Sequence, residues 1–311
     1  MKKIKILLLL ISISIAPIFA AVDNYSTIIN HDGETTHLSV YFIDLDVPET
    51  SKHKSGDSTL IIAPTGEAML IDCGNPYSYD DVRTLLEDLG IEELKYVMIS
   101  HPHIDHLGSF PMIADNFKVD KVIRSKLEYN SSSYYRAFLA SIDEHKIPVD
   151  YVVDGDSYNL GPDVVFNILA PIDPIIYPKK YPDNSTQFIN DESIAVQFHY
   201  GQSTALFCGD LYRQGEKAVL KRHGDILKSD LAKANHHGND TSNQLKWVKT
   251  VLPQVVVAMN DLMGSNSVYK SYKKRGATFY HTFYNGNIKV QLDKNHGIKV
   301  TPQFESWVEK E

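Results

Sequence analysis

Between His101 and His106 the chain reads His-Pro-His-Ile-Asp-His, which puts three imidazoles and one carboxylate within six positions. His101 and His103 are two residues apart, and side chains at that spacing leaving the end of a strand project to the same side. One divalent ion fits between them. Asp105 and His106 follow after a single spacer and turn toward a neighbouring point, where a second ion fits. Imidazole and carboxylate donors with no thiolate suit a hydrolytic Zn²⁺ or Mn²⁺ centre better than a closed structural zinc, which draws on cysteines. A solitary histidine is ordinarily a surface residue or a satisfied core residue. Four donors in six positions, directly after the apolar run Tyr96 to Ile99, are not what a solvated surface composition produces.

Such a loop needs a scaffold, and the flanking sequence supplies one. His37 to Leu45 alternates as a strand, and Leu60–Ala63 and Ala68–Ile71 form a hairpin through the turn signal Pro64-Thr65-Gly66-Glu67. Pro48 to Asp57, between these strands, is polar and reads as a loop. Asp80 to Gly90 has a capping residue, apolar positions at Val82, Leu85, Leu86 and Leu89 and a glycine stop, so it reads as an amphipathic helix. Tyr96–Ile99 is the strand that delivers the histidines, and a helix follows from Phe110. Further on, Val119–Arg124, Val149–Val153, Val164–Leu169, Ser193–Tyr200 and Thr204–Cys208 read as strands, with a helix over Ser133–His145. Another helix begins at Leu211, after which Leu231–Ala234 is a short apolar run. Helices over Ser242–Thr250 and Ser267–Arg275 alternate with strands at Val255–Met259, Thr278–Phe283 and Ile288–Leu292. This is α/β order, with chemistry at the carboxyl ends of strands. Three other strand ends carry the same residue types: Asp72 in Asp72-Cys73-Gly74, Asp210 in Cys208-Gly209-Asp210, and the pair His236-His237.

Residues 1–20 show three lysines, an apolar run and then small residues, the order of a secretory signal peptide with cleavage expected after Ala20. The apolar run is too short to span a bilayer comfortably, and no later segment is long enough. Residues 21–311 are therefore expected to form one domain, periplasmic or secreted, since no linker, repeat or low-complexity tract divides them. The formal charge of −8 disfavours a long polyanion as ligand. The basic cluster Lys270, Lys273, Lys274 and Arg275 on one helix reads first as a solvated face. Cys73 and Cys208, the two cysteines present, would be free to pair in an oxidising compartment; two separate buried thiols are an equal expectation.

With these motifs in this order, the sequence resembles the metallo-β-lactamase fold superfamily over roughly Val40 to Leu292. Its YFIDLDV, GDSTLI, MLIDCG, SIAVQFHYG, ALFCGDL and NHHG segments are similar to ComEC-like competence proteins and to phosphorylcholine esterases. The resemblance implies an αββα sandwich of two mixed β-sheets flanked by helices. It further implies that Asp72 orients the metal loop and that two ions, zinc or alternatively manganese, are held by His101 and His103, by Asp105, His106 and His237, and by a bridging Asp210. His236 would bind substrate or orient a ligand. The chemistry implied is attack by a metal-bound hydroxide on a phosphodiester or related ester, in a small molecule or a lipid headgroup. A nuclease and a non-catalytic scaffold are the alternatives. The resemblance carries one departure: the histidine expected about twenty residues before Asp210 is replaced by Ile189-Asn190-Asp191-Glu192-Ser193. Asn190 or Asp191 is left as a weaker ligand of the first ion, with His199 a more distant candidate. The departure argues against β-lactam hydrolysis.

Overall fold

The strands that lead to the histidine loop are apolar at successive positions because each is covered on both faces. In Thr59–Ile62, Leu60 and Ile62 pack with the helices while Ile61 points the other way; in Ala68–Ile71, Leu70 and Met69 divide likewise, as do Val97 and Met98 in Tyr96–Ile99. The computed structural model describes residues 22–30, 36–177, 179, 182–260 and 264–305. The expected leader, residues 1–20, lies outside the described residues.

Two mixed sheets result. One runs in the order Ile298–Pro302, Ile288–Leu292, Leu38–Phe42, Thr59–Ile62, Ala68–Ile71, Tyr96–Ile99, Val122–Arg124 and Val149–Tyr151, antiparallel up to Ala68–Ile71 and parallel beyond it. The other runs Thr278–His281, Val255–Ala258, Leu231–Lys233, Ser203–Phe207, Ala195–Tyr200, Val164–Ala170 and Ser157–Leu160, parallel over its first four strands. A shared apolar layer, including Phe42, Met98, Phe166, Phe198, Phe207 and Val257, lies between them. The outer face of the first sheet packs on the helices Tyr79–Asp88, Phe110–Asn116 and Ser133–Glu144. That of the second packs on Arg213–His223, Leu245–Val251 and Asn266–Lys273. The architecture is an αββα sandwich of two mixed sheets.

Several elements differ from expectation. Val119–Arg124 is two strands: Lys118–Val119 pairs with Glu93–Leu94 in a separate ribbon, and only Val122–Arg124 enters the main sheet. Asp120 N–H bonds the Leu94 carbonyl at 3.0 Å, turning the chain between them. The edge strands Ser157–Leu160 and Ile298–Pro302 carry too many polar or exposed positions to announce themselves. The helix Thr186–Asp191, capped by Ser185, occupies a stretch with no apolar periodicity. No described helix is long and apolar enough to cross a membrane.

Candidate metal centre

Loops at strand ends of the two sheets meet here. Backbone bonds fasten them: Cys73 N–H to the His106 carbonyl (2.6 Å), Asp57 N–H to the Asp105 carbonyl (3.1 Å), Gly74 N–H to the Asp57 carbonyl (2.9 Å) and His236 N–H to the Gly209 carbonyl (3.1 Å). Asp72, His236 and His237 all take left-handed backbone conformations, φ 59°, 46° and 55°. Non-glycine residues hold that region where the surroundings over-determine it, typically at functional sites.

Asp72 organises the histidine loop. Its carboxylate accepts from Ser100 N–H and Ser100 Oγ, both at 2.7 Å, and from His106 Nδ1 at 2.8 Å. Burial pushes this carboxyl up, and His106 and Ser100 counter it in part. His237 is held in the same manner, its Nδ1 3.0 Å from Asp57 Oδ1 and 3.1 Å from the Met259 carbonyl. Carboxylates and carbonyls only accept, so both Nδ1 atoms carry protons, and Nε2 is the atom of each neutral imidazole that offers a lone pair to a cation. Those atoms converge. His106 Nε2 is 3.4 Å from Asp210 Oδ2, His237 Nε2 is 3.3 Å from it, and Asp105 Oδ2 is 3.9 Å and 3.6 Å from the two imidazoles. One donor atom from each of Asp105, His106, Asp210 and His237 falls within 4.8 Å of the others.

The convergence fits a cation. His106 Nε2 and His237 Nε2 are buried with no hydrogen-bond partner, which is costly unless something positive lies between them and the carboxylates they face. Burial alone would push both imidazoles down. Around His106 the carboxylates of Asp210, Asp72 and Asp105 outweigh it, around His237 those of Asp210 and Asp57, and both imidazoles are raised well above the usual range. Unbalanced negative charge of this kind is what a divalent ion relieves. Asp57, Asp72 and His106 also approach one another closely, but behind the imidazoles, where the buried Lys233 ammonium contacts Asp57 and bonds the Gly209 carbonyl at 3.0 Å. That position already has its cation.

His101 Nε2 faces His103 Nδ1 at 2.9 Å. Ser100 Oγ spends its proton on Asp72, so across its 3.0 Å contact it accepts from His101 Nδ1–H, and His101 Nε2 is left bare. Among the described residues no third His, Cys, Asp or Glu closes on this pair to form a second such group. Asn190 is buried against the same cleft. Asp191 points away, its Oδ1 accepting from Gly215 N–H at 2.8 Å. His199 sits mid-strand opposite Val165 and Thr204, outside the cluster. Cys73 and Cys208 are separate, buried, free thiols, both pushed up by burial.

The cluster opens into a cleft of about 250 Å³ bordered by His103, Asp105, Asp210 and His236 on the metal side and by Lys52, His53 and Lys54 at the mouth. His236 Nδ1 bonds Thr241 Oγ1, while its Nε2 lies 3.5 Å from the Tyr212 hydroxyl and 3.8 Å from Asp210 Oδ2. Asp57, Lys233 and the Lys52–Lys54 lip escaped the sequence reading. Gly56-Asp57 just before a strand and a lysine inside the apolar Leu-Ala-Lys-Ala run were the signals for the first two. The lip, rather than the helix cluster Lys270 to Arg275, is the basic surface that borders the cleft.

Residues 53–180 match the family model described as the metallo-beta-lactamase superfamily. Curated relatives include ComE operon protein 3 of Bacillus subtilis (strain 168), 24% identical over 277 residues, and competence protein ComA of Neisseria gonorrhoeae, 21% identical over 267 residues. Each alignment covers 81% of this chain and 34% of the relative, so the chain spans about a third of their length. Among solved structures, a mutant of the CmlA β-hydroxylase superposes with a TM-score of 0.51 at 15% identity, covering 82% of this chain and 54% of that one. That likeness concerns the fold alone. Motif order, sheet topology and the match over residues 53–180 agree, and the chain has an αββα fold like that of the metallo-β-lactamase superfamily.

Proposed function

We propose that this protein is a metal-dependent hydrolase of phosphodiesters, working outside the cytoplasm. The observation that carries the reading is the convergence of donor atoms from Asp105, His106, Asp210 and His237 beside an open cleft, with both imidazole Nε2 atoms buried and without a hydrogen-bond partner. Those four residues would hold one ion, with Asp210 shared with a second ion on His101 and His103. Zinc suits the nitrogen and oxygen donors, and manganese is the alternative. When bound, the ions supply Lewis acidity toward a phosphoryl oxygen and bring the pKa of water toward neutrality.

The chain's own residues do the rest. Asp72 and Asp57 hold His106 and His237 by Nδ1 and so aim Nε2 into the centre. His236, on the cleft wall and tethered to Thr241, is placed to bond a substrate oxygen. Lys52 and Lys54 reverse the local sign of an acidic protein and draw an anionic group to the mouth. The leader-like residues 1–20 support the location.

Small-molecule or lipid-headgroup phosphoesters are the first substrate class. A nucleic-acid backbone is the second reading, favoured by the lysine lip and by the competence role that the curated relatives' names carry. Zinc-loaded protein should cleave bis(p-nitrophenyl) phosphate, and Asp105→Ala and His106→Ala should abolish cleavage and lower bound metal. Full activity in metal-free Asp105→Ala protein overturns the reading. In a panel of single-stranded DNA, a choline phosphodiester and a β-lactam, turnover of DNA alone with steep salt dependence selects the second class.

A further inference from the structure

The two halves of the centre are built unequally. Around His106 and His237, four protein donors close on one point. His101 Nε2 and His103 Nδ1 face each other, and among the described residues no third His, Cys, Asp or Glu forms a comparably tight group with them. Asn190 lies in the last turn of the helix Thr186–Asp191 and borders the same cleft as His103. Ile194 N–H bonds the Ser100 carbonyl at 2.9 Å, which pins the chain just after this helix to the strand end that launches His101. Ser193 N–H in turn bonds the Asn190 carbonyl at 3.2 Å. Asn190 is 1% exposed, borders the cleft together with His103 and Asp210, and its Oδ1 has no hydrogen-bond partner. A buried amide oxygen left bare at that place wants a donor or a cation.

We propose that Asn190 Oδ1 is a further protein ligand of the first ion, joining His101, His103 and the shared Asp210. A neutral amide oxygen is a poorer partner for zinc than an imidazole nitrogen, and it brings no charge. The first position is therefore the weak, exchangeable one, and the position on Asp105, His106 and His237 is the tight one. The proposal rests on the metal-centre reading above and is independent of the substrate class.

The test counts metal and does not depend on turnover. Full-length protein is loaded with zinc, dialysed against graded chelator and assayed for zinc per chain by mass spectrometry. Wild type should lose one zinc at chelator levels that leave the other in place. Asn190→Ala should hold only the resistant zinc, and Asn190→His should hold both, the labile one at least tenfold more tightly. Asn190→Asp, which keeps the oxygen and adds charge, should also tighten the labile zinc and serves as the reporter if the alanine variant does not fold. Unchanged two-step loss in Asn190→Ala, or no tightening in both Asn190→His and Asn190→Asp, overturns the assignment. Failure of phosphodiester cleavage in fully loaded protein would leave these counts unaltered and would bear on the proposed function alone.

Discussion

Asp57 Oδ1 stands 3.0 Å from His237 Nδ1 although 180 residues separate them. The other oxygen of that carboxylate contacts the Lys233 ammonium. One buried aspartate thus orients a candidate ligand and neutralises a buried lysine. Asp57→Asn keeps an acceptor for His237 but loses the charge, and we expect zinc affinity at the tight position to fall about 10–100-fold, the usual effect of removing a partner of a ligating histidine. Asp57→Ala also strands Lys233 and should cost roughly 3–5 kcal/mol of stability. Chelator competition and denaturant melts read the two effects separately; wild-type values in both would remove Asp57 from the centre.

The unpartnered donors predict that zinc stabilises the folded chain. At a free concentration a hundred times its dissociation constant, an ion specific to the native state adds about 2.7 kcal/mol. For a domain of this size that is a rise in Tm of about 5 °C or more. Scanning calorimetry with and without chelator checks it, and Asp210→Ala should abolish most of the difference.

Lys52 and Lys54 border the cleft without touching the metal cluster. Replacing either with alanine should raise KM for an anionic diester by roughly threefold, as expected for an exposed charge contact, and leave kcat near wild type. The double variant should lose much of the salt dependence of KM. A fall in kcat with constant KM would place the lysines elsewhere in the reaction.

Gly56 takes φ +85°, and a methyl group built on it would overlap the Asp105 carbonyl oxygen. Gly66 takes φ +96° with nothing within 4 Å. Gly66→Ala should therefore cost only the backbone preference, about 1 kcal/mol. Gly56→Ala must also part the loops that carry Asp57 and Asp105, and should cost more than about 3 kcal/mol together with most bound metal. Equal melting of the two variants would show that the loops are not in contact.

Cys73 and Cys208 are buried and unpaired. Reductant should leave Tm unchanged, and a thiol reagent should modify both cysteines only after denaturation. A reductant-sensitive Tm would indicate a disulfide and a different packing of the Asp72 and Asp210 loops.

The legible part of this chain was its repeated pattern of an apolar run ending in His or Asp. Asp72, His106, Asp210 and His237 each follow such a run, and covered parallel strands write their burial into every position. What stayed hidden were residues whose meaning depends on distant partners. Asp57 lies at the end of a polar loop, Lys233 has no local feature naming its counterion, and Lys52 and Lys54 become a lip only when the loop folds over the centre. Asn190 and Asp191 are adjacent and chemically alike, and only the helix at Arg213–His223, which draws Asp191 to Gly215 N–H, separates their roles.

The strand Leu38–Phe42 is flanked in its sheet by Ile288–Leu292, which in turn carries Ile298–Pro302. Growing from the ribosome, the chain would release the His101–His106 loop long before Asp210 and His237, and longer still before the strands that cover Leu38–Phe42. A nascent fragment therefore offers His101, His103, Asp105 and His106 without Asp210 and His237. On the proposed metal-centre reading, a full donor set exists only once Asp210 and His237 have joined the loop, so metal binding would be coupled to folding of both sheets.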